Sequence, residues 1–174
     1  MSTRPDCMRG FELYLVRHAI ADERGPDWPD DSKRPLTEHG ISRFKEEVKG
    51  LARLDAELDE IFTSPFVRAK QTAQLLASGL RHKAAVRTLK MLEPGHGPAA
   101  VIRELAKEAR KSRIAIVGHE PDLGDLASHL LGTRKPLPFK KGGICRIDIA
   151  SLPSARAGTL VWMITPKILR KLAD

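Results

Sequence analysis

The pattern of apolar and polar positions predicts alternating strands and helices over most of the chain. Short apolar runs predict strands, the third of them weaker than the others, at 11–16, 58–63, 84–89 and 114–117. Apolar residues at helical spacing predict helices between and after these runs, with stripes at 41–51, 69–80, 101–109 and 123–131. This alternation is typical of an α/β layer fold.

Polar residues at the ends of these segments predict where two helices begin. Thr37 is expected to cap the first helix. Ser64 and Pro65 are expected to be the N-cap and the first residue of the second helix.

The last third of the chain has a different pattern. Two strand-like segments, Ile144–Ile149 and Leu160–Thr165, flank a loop that contains Pro153, which predicts an antiparallel pair. Pro166 predicts the start of a short C-terminal helix. Because no repeat or linker interrupts the pattern, we expect one domain over residues 1–174, with residues 1–10 loosely ordered.

Composition narrows the classes of function. The 174 residues carry a net charge of +8, which favours an anionic ligand. Aromatic residues make up only 5% of the chain, too few to favour stacking on bases, so we expect no nucleic-acid partner. The N-terminus has no apolar signal segment and no run is long enough to span a bilayer, so we expect a cytoplasmic protein without membrane contact.

Charged and titratable residues stand where three predicted strands end. Arg17 and His18 end the first strand, His119 follows the apolar run 114–117, and Arg68 lies in the first turn of the helix after the second strand. Parallel neighbouring strands share one rim at their carboxyl ends, and ligands of α/β proteins bind there. We therefore expect these four side chains to meet at one site.

The residue types at this site indicate phosphoryl transfer. A cation in the first helical turn opposes the helix dipole, so Arg68 suggests that an anion binds there. Two guanidiniums can grip a tetrahedral oxyanion and keep a nearby imidazole neutral. A neutral His18 could then attack phosphorus and form a covalent intermediate, while His119 donates a hydrogen bond to the phosphoryl group.

Neither a metal nor another cofactor is expected. The six histidines form no H-x-x-x-H pair, and no acidic triplet resembles a magnesium or zinc site. The two cysteines, Cys7 and Cys145, have no ligand spacing, and Cys145 falls in an apolar alternation that indicates the core.

Four motifs resemble the signatures of the histidine phosphatase (phosphoglycerate mutase-like) superfamily, in particular its small phosphohistidine phosphatase branch. They occur in the family's order and read L-V-R-H-A-I-A-D, K-R-P-L-T-E-H-G, T-S-P-F-V-R-A-K-Q-T and V-G-H-E-P. The resemblance runs from residue 11 to about residue 165. It implies a three-layer α/β/α sandwich with a mostly parallel central sheet and no large cap insertion.

The resemblance also implies roles for individual residues. His18 would be the phosphorylated nucleophile, and Arg17, Arg68 and His119 would complete the phosphate pocket. Arg34, in the second motif, is expected to contact phosphate or substrate. Glu93 is the candidate general acid by its position.

Several alternatives stay open at this stage. Asp22 and His96 are rivals of Glu93 as the general acid, and Lys140 and Lys141 either approach the site or solvate a loop. The first hypothesis for function is a metal-independent phosphatase acting on phosphohistidine in a protein partner. The others are a phosphatase of small phosphoesters, such as sugar phosphates, and a phosphate-binding module without turnover.

Overall fold

Strands and helices alternate through the part of the chain that the computed structural model describes, residues 10–80 and 83–174. Its strands are β1 Phe11–Arg17, β2 Glu60–Thr63, β3 Ala85–Thr88, β4 Arg113–Gly118, β5 Ile144–Ile149 and β6 Thr159–Ile164. Its helices are α1 Glu38–Ala52, α2 Val67–Gly79, α3 Pro98–Glu108, α4 Asp122–Leu131 and α5 Pro166–Ala173. The single domain over 1–174 stays a prediction. The loose order expected of residues 1–10 concerns positions that lie outside the described residues, except for Gly10.

The six strands form one sheet in the order β3-β2-β4-β1-β5-β6. The first four strands in this order run parallel, and β5 is antiparallel to β1 and to β6. The sheet is therefore mostly parallel, and the antiparallel pair predicted near the C-terminus is confirmed. β4 lies between β2 and β1, which agrees with its continuous apolar sequence, since a central parallel strand is buried on both faces.

Helices cover both faces of the sheet and make the predicted three layers. One face packs against α3 and α4 around residues such as Leu105 and Leu126. The other packs against α1, α2 and α5 around residues such as Phe44, Leu76 and Leu169. Within the described residues, no helix is long and apolar enough to cross a membrane.

Helix α1 begins where the sequence predicts, whereas α2 begins later than predicted. Thr37 caps α1 as predicted, and its hydroxyl oxygen accepts from the Gly40 N–H at 2.8 Å. The prediction that Ser64 caps the second helix is wrong, because α2 begins at Val67 after Phe66 and has no side-chain cap. The Ser64 hydroxyl contacts the ring of His119 at 2.9 Å and accepts from the Phe66 N–H at 3.3 Å, just before the helix begins.

The C-terminal helix α5 packs closely on α1. Leu169 is fully buried, and Gly50 of α1 lies directly under its backbone. A partly buried ion pair between Arg170 and Glu47, 2.5 Å long, joins the same two helices. The close approach requires glycine, because a β-carbon at position 50 would overlap the Leu169 carbonyl oxygen.

We therefore expect Gly50→Ala to destabilise the protein by about 1–3 kcal/mol, since backbone at a helix contact cannot yield as a flexible side chain can. Thermal or urea unfolding measures the change. Gly25→Ala is the matched control, because no atom lies within 4 Å of a β-carbon placed there. An unfolding free energy of Gly50→Ala equal to that of the control would contradict this account of the α1–α5 contact.

Candidate active site

The sheet brings the strand-end residues together at one rim. β1 and β4 are parallel, with Arg17 opposite Gly118, so His18 and His119 leave the sheet side by side. The centroids of their rings lie 5.2 Å apart. β2 pairs with the other edge of β4, which places the start of α2, and with it Arg68, at the same rim.

His18 is held with one ring nitrogen free to act as a base or nucleophile. Its Nδ1 lies 2.7 Å from the Ala19 carbonyl oxygen, which can only accept, so Nδ1 carries the proton. Its Nε2 then has the lone pair and accepts from Arg68 Nε at 3.3 Å. Burial lowers the pKa of His18 to about 4, helped by the charges of Arg68, Arg17 and Lys141 and opposed by the bond to Ala19.

His119 is also kept neutral. Burial, followed by the influence of His18 and Arg68, lowers its pKa to about 3. Because the unfolded chain takes up protons at the ordinary value of 6.5, these two rings make folding less favourable as the pH falls from about 6.5 towards 4. Ser64 holds Nε2 of the His119 ring, and Nδ1 has no hydrogen-bond partner among the described residues.

The two arginines of the site are positioned by backbone and by a carboxylate. Arg17 donates from Nη1 to the Phe139 carbonyl oxygen at 2.6 Å. Arg68 is 2% exposed, and its Nη1 and Nη2 donate to the backbone oxygen and the carboxylate of Asp31 at 2.7 and 2.9 Å. The Phe66 ring lies against the same guanidinium, with 4.9 Å from its centroid to Arg68 Cζ.

These side chains line a cavity of about 510 Å³. Its walls carry more positive than negative charge, from Arg17, Arg24, Arg34, Arg68 and Lys141 against Asp22, Glu23 and Glu120. Such a cavity suits a phosphoryl-sized anion.

Arg34 and one of the two lysines considered from the sequence lie at the basic rim of this cavity. Arg34 lines the cavity and is buried, and it donates to Asp31 Oδ1 at 2.8 Å and to the Asp22 carbonyl oxygen at 2.5 Å. Lys141 also lines the cavity, whereas Lys140 is not among its described lining residues.

The candidate general acids lie in different places. Glu93 faces a separate cavity of about 10 Å³ that it shares with His119, on the side of α3 and α4. Of its rivals, Asp22 lines the main cavity, and His96 is not among the described residues lining either one. Glu120, which the sequence reasoning did not select, lines the main cavity, and burial raises the pKa of its carboxyl.

Sequence reasoning also missed Asp31 and Ser64. Asp31 stands three residues before Arg34, a spacing that permits an ion pair. This spacing could have indicated from the sequence that Asp31 belongs to the site. For Ser64 there was no such signal, because its partner His119 is 55 residues away.

Comparison with known proteins identifies the family. Residues 13–93 match the model of the histidine phosphatase superfamily (branch 1). An uncharacterized protein of Picosynechococcus sp. is 34% identical over 165 residues, which cover 91% of this chain and 99% of that protein. The chain belongs to the histidine phosphatase superfamily.

Further relatives place it in the small SixA-like branch of that superfamily. Phosphohistidine phosphatase SixA of Escherichia coli is 26% identical over 159 residues, which cover 90% of this chain and 94% of SixA. A solved structure of the protein histidine phosphatase SixA with tungstate has a TM-score of 0.79 at 24% identity, covering 91% of this chain and 99% of that one. Histidine phosphatase membership supports a phosphatase activity, with hydrolysis as the reaction.

We expect His18 to keep the Nδ1–H tautomer and to stay neutral down to about pH 5, because burial and Arg68 disfavour the imidazolium. The nitrogen NMR shifts of the His18 ring against pH measure both properties. In Arg68→Ala, the midpoint should move upward, since one opposing charge is removed. A wild-type midpoint near 6.5, or a proton on Nε2, would contradict this assignment.

Proposed function

We propose that the protein is a metal-independent phosphatase that removes the phosphoryl group from phosphohistidine in a protein, through a covalent intermediate at His18. The contact between Arg68 Nε and the His18 Nε2 lone pair carries this proposal. It puts a neutral nucleophile beside a buried cation, where a phosphoryl group would find both. The name of the relative SixA gives phosphohistidine as that protein's substrate, which supports the same substrate class here.

In the first step, the His18 Nε2 lone pair attacks phosphorus and the bond from phosphorus to the substrate imidazole breaks. The electron pair of that bond stays on the leaving nitrogen, and the imidazole leaves neutral because its other nitrogen carries a proton. Charge on the phosphoryl oxygens is stabilised by Arg17 and Arg68, which are fixed before substrate arrives. His18 does not need to lose a proton before attack, because its Nε2 already carries the lone pair.

In the second step, water attacks phosphorus and the bond from phosphorus to His18 Nε2 breaks. Inorganic phosphate leaves with both protons of the water, and the lone pair returns to Nε2 while Nδ1 keeps its proton. His119 lies beside the reacting ring, 5.2 Å between centroids, and in our proposal it donates a hydrogen bond to the phosphoryl group.

The rim of the cavity supports a protein substrate. Glu23, Arg24, Pro94 and Lys141 line the cavity and are exposed to solvent. A phosphohistidine side chain on a protein surface could therefore enter while the rest of its protein stays outside. A cytoplasmic location, with phosphorylated proteins as partners, belongs to the same proposal.

A second candidate, hydrolysis of small phosphoesters, is favoured by the carboxyl groups near the site. An alkoxide leaves poorly without a proton, whereas an imidazole leaves readily. Asp22, Glu23 and Glu120 line the main cavity, and Glu93 lines the small cavity that it shares with His119. One of these carboxyl groups could supply that proton. A binding module without turnover is the remaining alternative.

Incubation with a radiolabelled phosphohistidine protein tests the proposal directly. We expect label on the enzyme under rapid acid quench, abolished in His18→Ala and retained in His39→Ala, since His39 is exposed on α1. We also expect turnover to survive EDTA. Absence of a labelled wild-type enzyme would contradict the covalent mechanism, and loss of turnover with EDTA would contradict metal independence.

The leaving group should reveal the general acid. Among Glu93→Gln, Asp22→Asn and Glu120→Gln, we expect the variant lacking the acid to lose phosphoester cleavage about ten-fold or more, with a smaller loss for phosphohistidine. Glu93 is the general acid expected from the sequence. Steady-state kcat on both substrates measures the difference, and equal losses on the two substrates in all three variants would contradict the prediction.

A further inference from the structure

One carboxylate holds three of the cations at this site. Oδ1 of Asp31 accepts from Nε of Arg24 at 3.1 Å and from Nε of Arg34 at 2.8 Å. Oδ2 accepts from Nη2 of Arg68 at 2.9 Å, and the Asp31 backbone oxygen accepts from Nη1 at 2.7 Å. The Asp31 side chain is only 30% exposed, so these pairs are partly shielded from water.

The stereochemistry of the guanidinium makes this arrangement specific. Five N–H groups point outward from a rigid plane, so fixing one edge fixes the others. Asp31 occupies both terminal nitrogens of Arg68, and the remaining Nε–H points at His18 Nε2. The second N–H of Nη2 lies in the guanidinium plane and points outward from the same edge as Nε–H. The edge formed by Nε and Nη2 is thus presented to a phosphoryl group arriving at His18.

Arg68 also needs a counter-ion when the cavity holds no anion. It is 2% exposed and lies in the first turn of α2, where the helix dipole opposes a cation. Partial burial acts against ionisation of Asp31, but hydrogen bonds from Arg34 and Arg68 lower its pKa to about 2. The carboxylate is therefore charged throughout the physiological range.

We infer that Asp31 is a positioning residue, which orients the Nε edge of Arg68 towards the phosphoryl group and balances the arginines when the site is empty. This inference rests on the proposed function. Asp31 does not touch His18 in this arrangement, and it acts through Arg68. Its loss should therefore separate catalysis from anion binding, because the cavity becomes more positive while its key donor loses orientation.

Asp31→Asn tests this inference, with Asp30→Asn as the matched control. Asp30 is the adjacent carboxylate, and its side chain bonds Ser32 and Lys33. We expect Asp31→Asn to bind inorganic phosphate at least as tightly as wild type by calorimetry. Its kcat on a phosphohistidine protein should fall about ten-fold or more, since small misplacements of a catalytic group are costly. Asp30→Asn should keep both values within about two-fold.

A double-mutant comparison tests whether Asp31 acts through Arg68. Adding Asp31→Asn to Arg68→Ala should lower kcat by no more than about two-fold, because the oriented group is already absent. A loss as large as that in the wild-type background would overturn the inference. So would a kcat of Asp31→Asn equal to that of Asp30→Asn, or a proportional loss of phosphate affinity and kcat.

Two further measurements keep the test independent of folding and of substrate choice. Asp31→Glu retains the charge but moves the carboxylate by one methylene, so we expect near wild-type phosphate affinity with reduced kcat, and wild-type kcat would count against the inference. The Arg68 Nε–H signal in NMR should exchange with water faster in Asp31→Asn, and unchanged exchange would also overturn it. If the wild-type protein neither binds phosphate nor forms a phosphoenzyme, the proposed function fails as well. If the wild-type protein does both and the Asp31→Asn variant behaves like it, only the inference about Asp31 fails.

Discussion

A buried cation beside a neutral imidazole is the interaction on which this site depends. Arg68 Nε and His18 Nε2 lie 3.3 Å apart, and the charged form of each side chain is disfavoured at this position. The guanidinium loses hydration and faces an opposing helix dipole, while the imidazole loses the ability to take a proton. Together they concentrate positive potential around an available lone pair, which is what attack on a phosphoryl group requires.

The surrounding structure keeps these two groups in place mainly through hydrogen bonds to backbone. The Ala19 carbonyl fixes the proton of His18, and the Asp31 backbone oxygen accepts from Arg68. Ala19 follows β1 by two residues, so the end of that strand sets the position of the oxygen that holds His18. Asp31 adds the negative charge that makes clustered arginines tolerable before substrate arrives.

Much of the fold could be predicted from the sequence because the buried positions of helices and strands carry apolar residues at regular spacings. The apolar run at 114–117 predicted the strand β4, and Pro166 predicted the start of α5. The start of α2 was predicted wrongly, because Ser64 has the local features of an N-cap but the helix begins three residues later, and the Ser64 hydroxyl also bonds His119, just after β4. Local rules describe neighbours along the chain, and they fail where a distant partner competes for the same atom.

The residues of the site divide in the same way. The sequence by itself determined that Arg17, His18, Arg68 and His119 stand at strand ends and helix starts, because a cation or imidazole in those positions departs from local preference. Only the tertiary structure decided which nitrogen of His18 is free, that Asp31 holds Arg68, and that Glu120 rather than Glu93 lines the main cavity. Those outcomes depend on distances and angles between segments far apart in the chain, and such geometry exists only once the strand order is set.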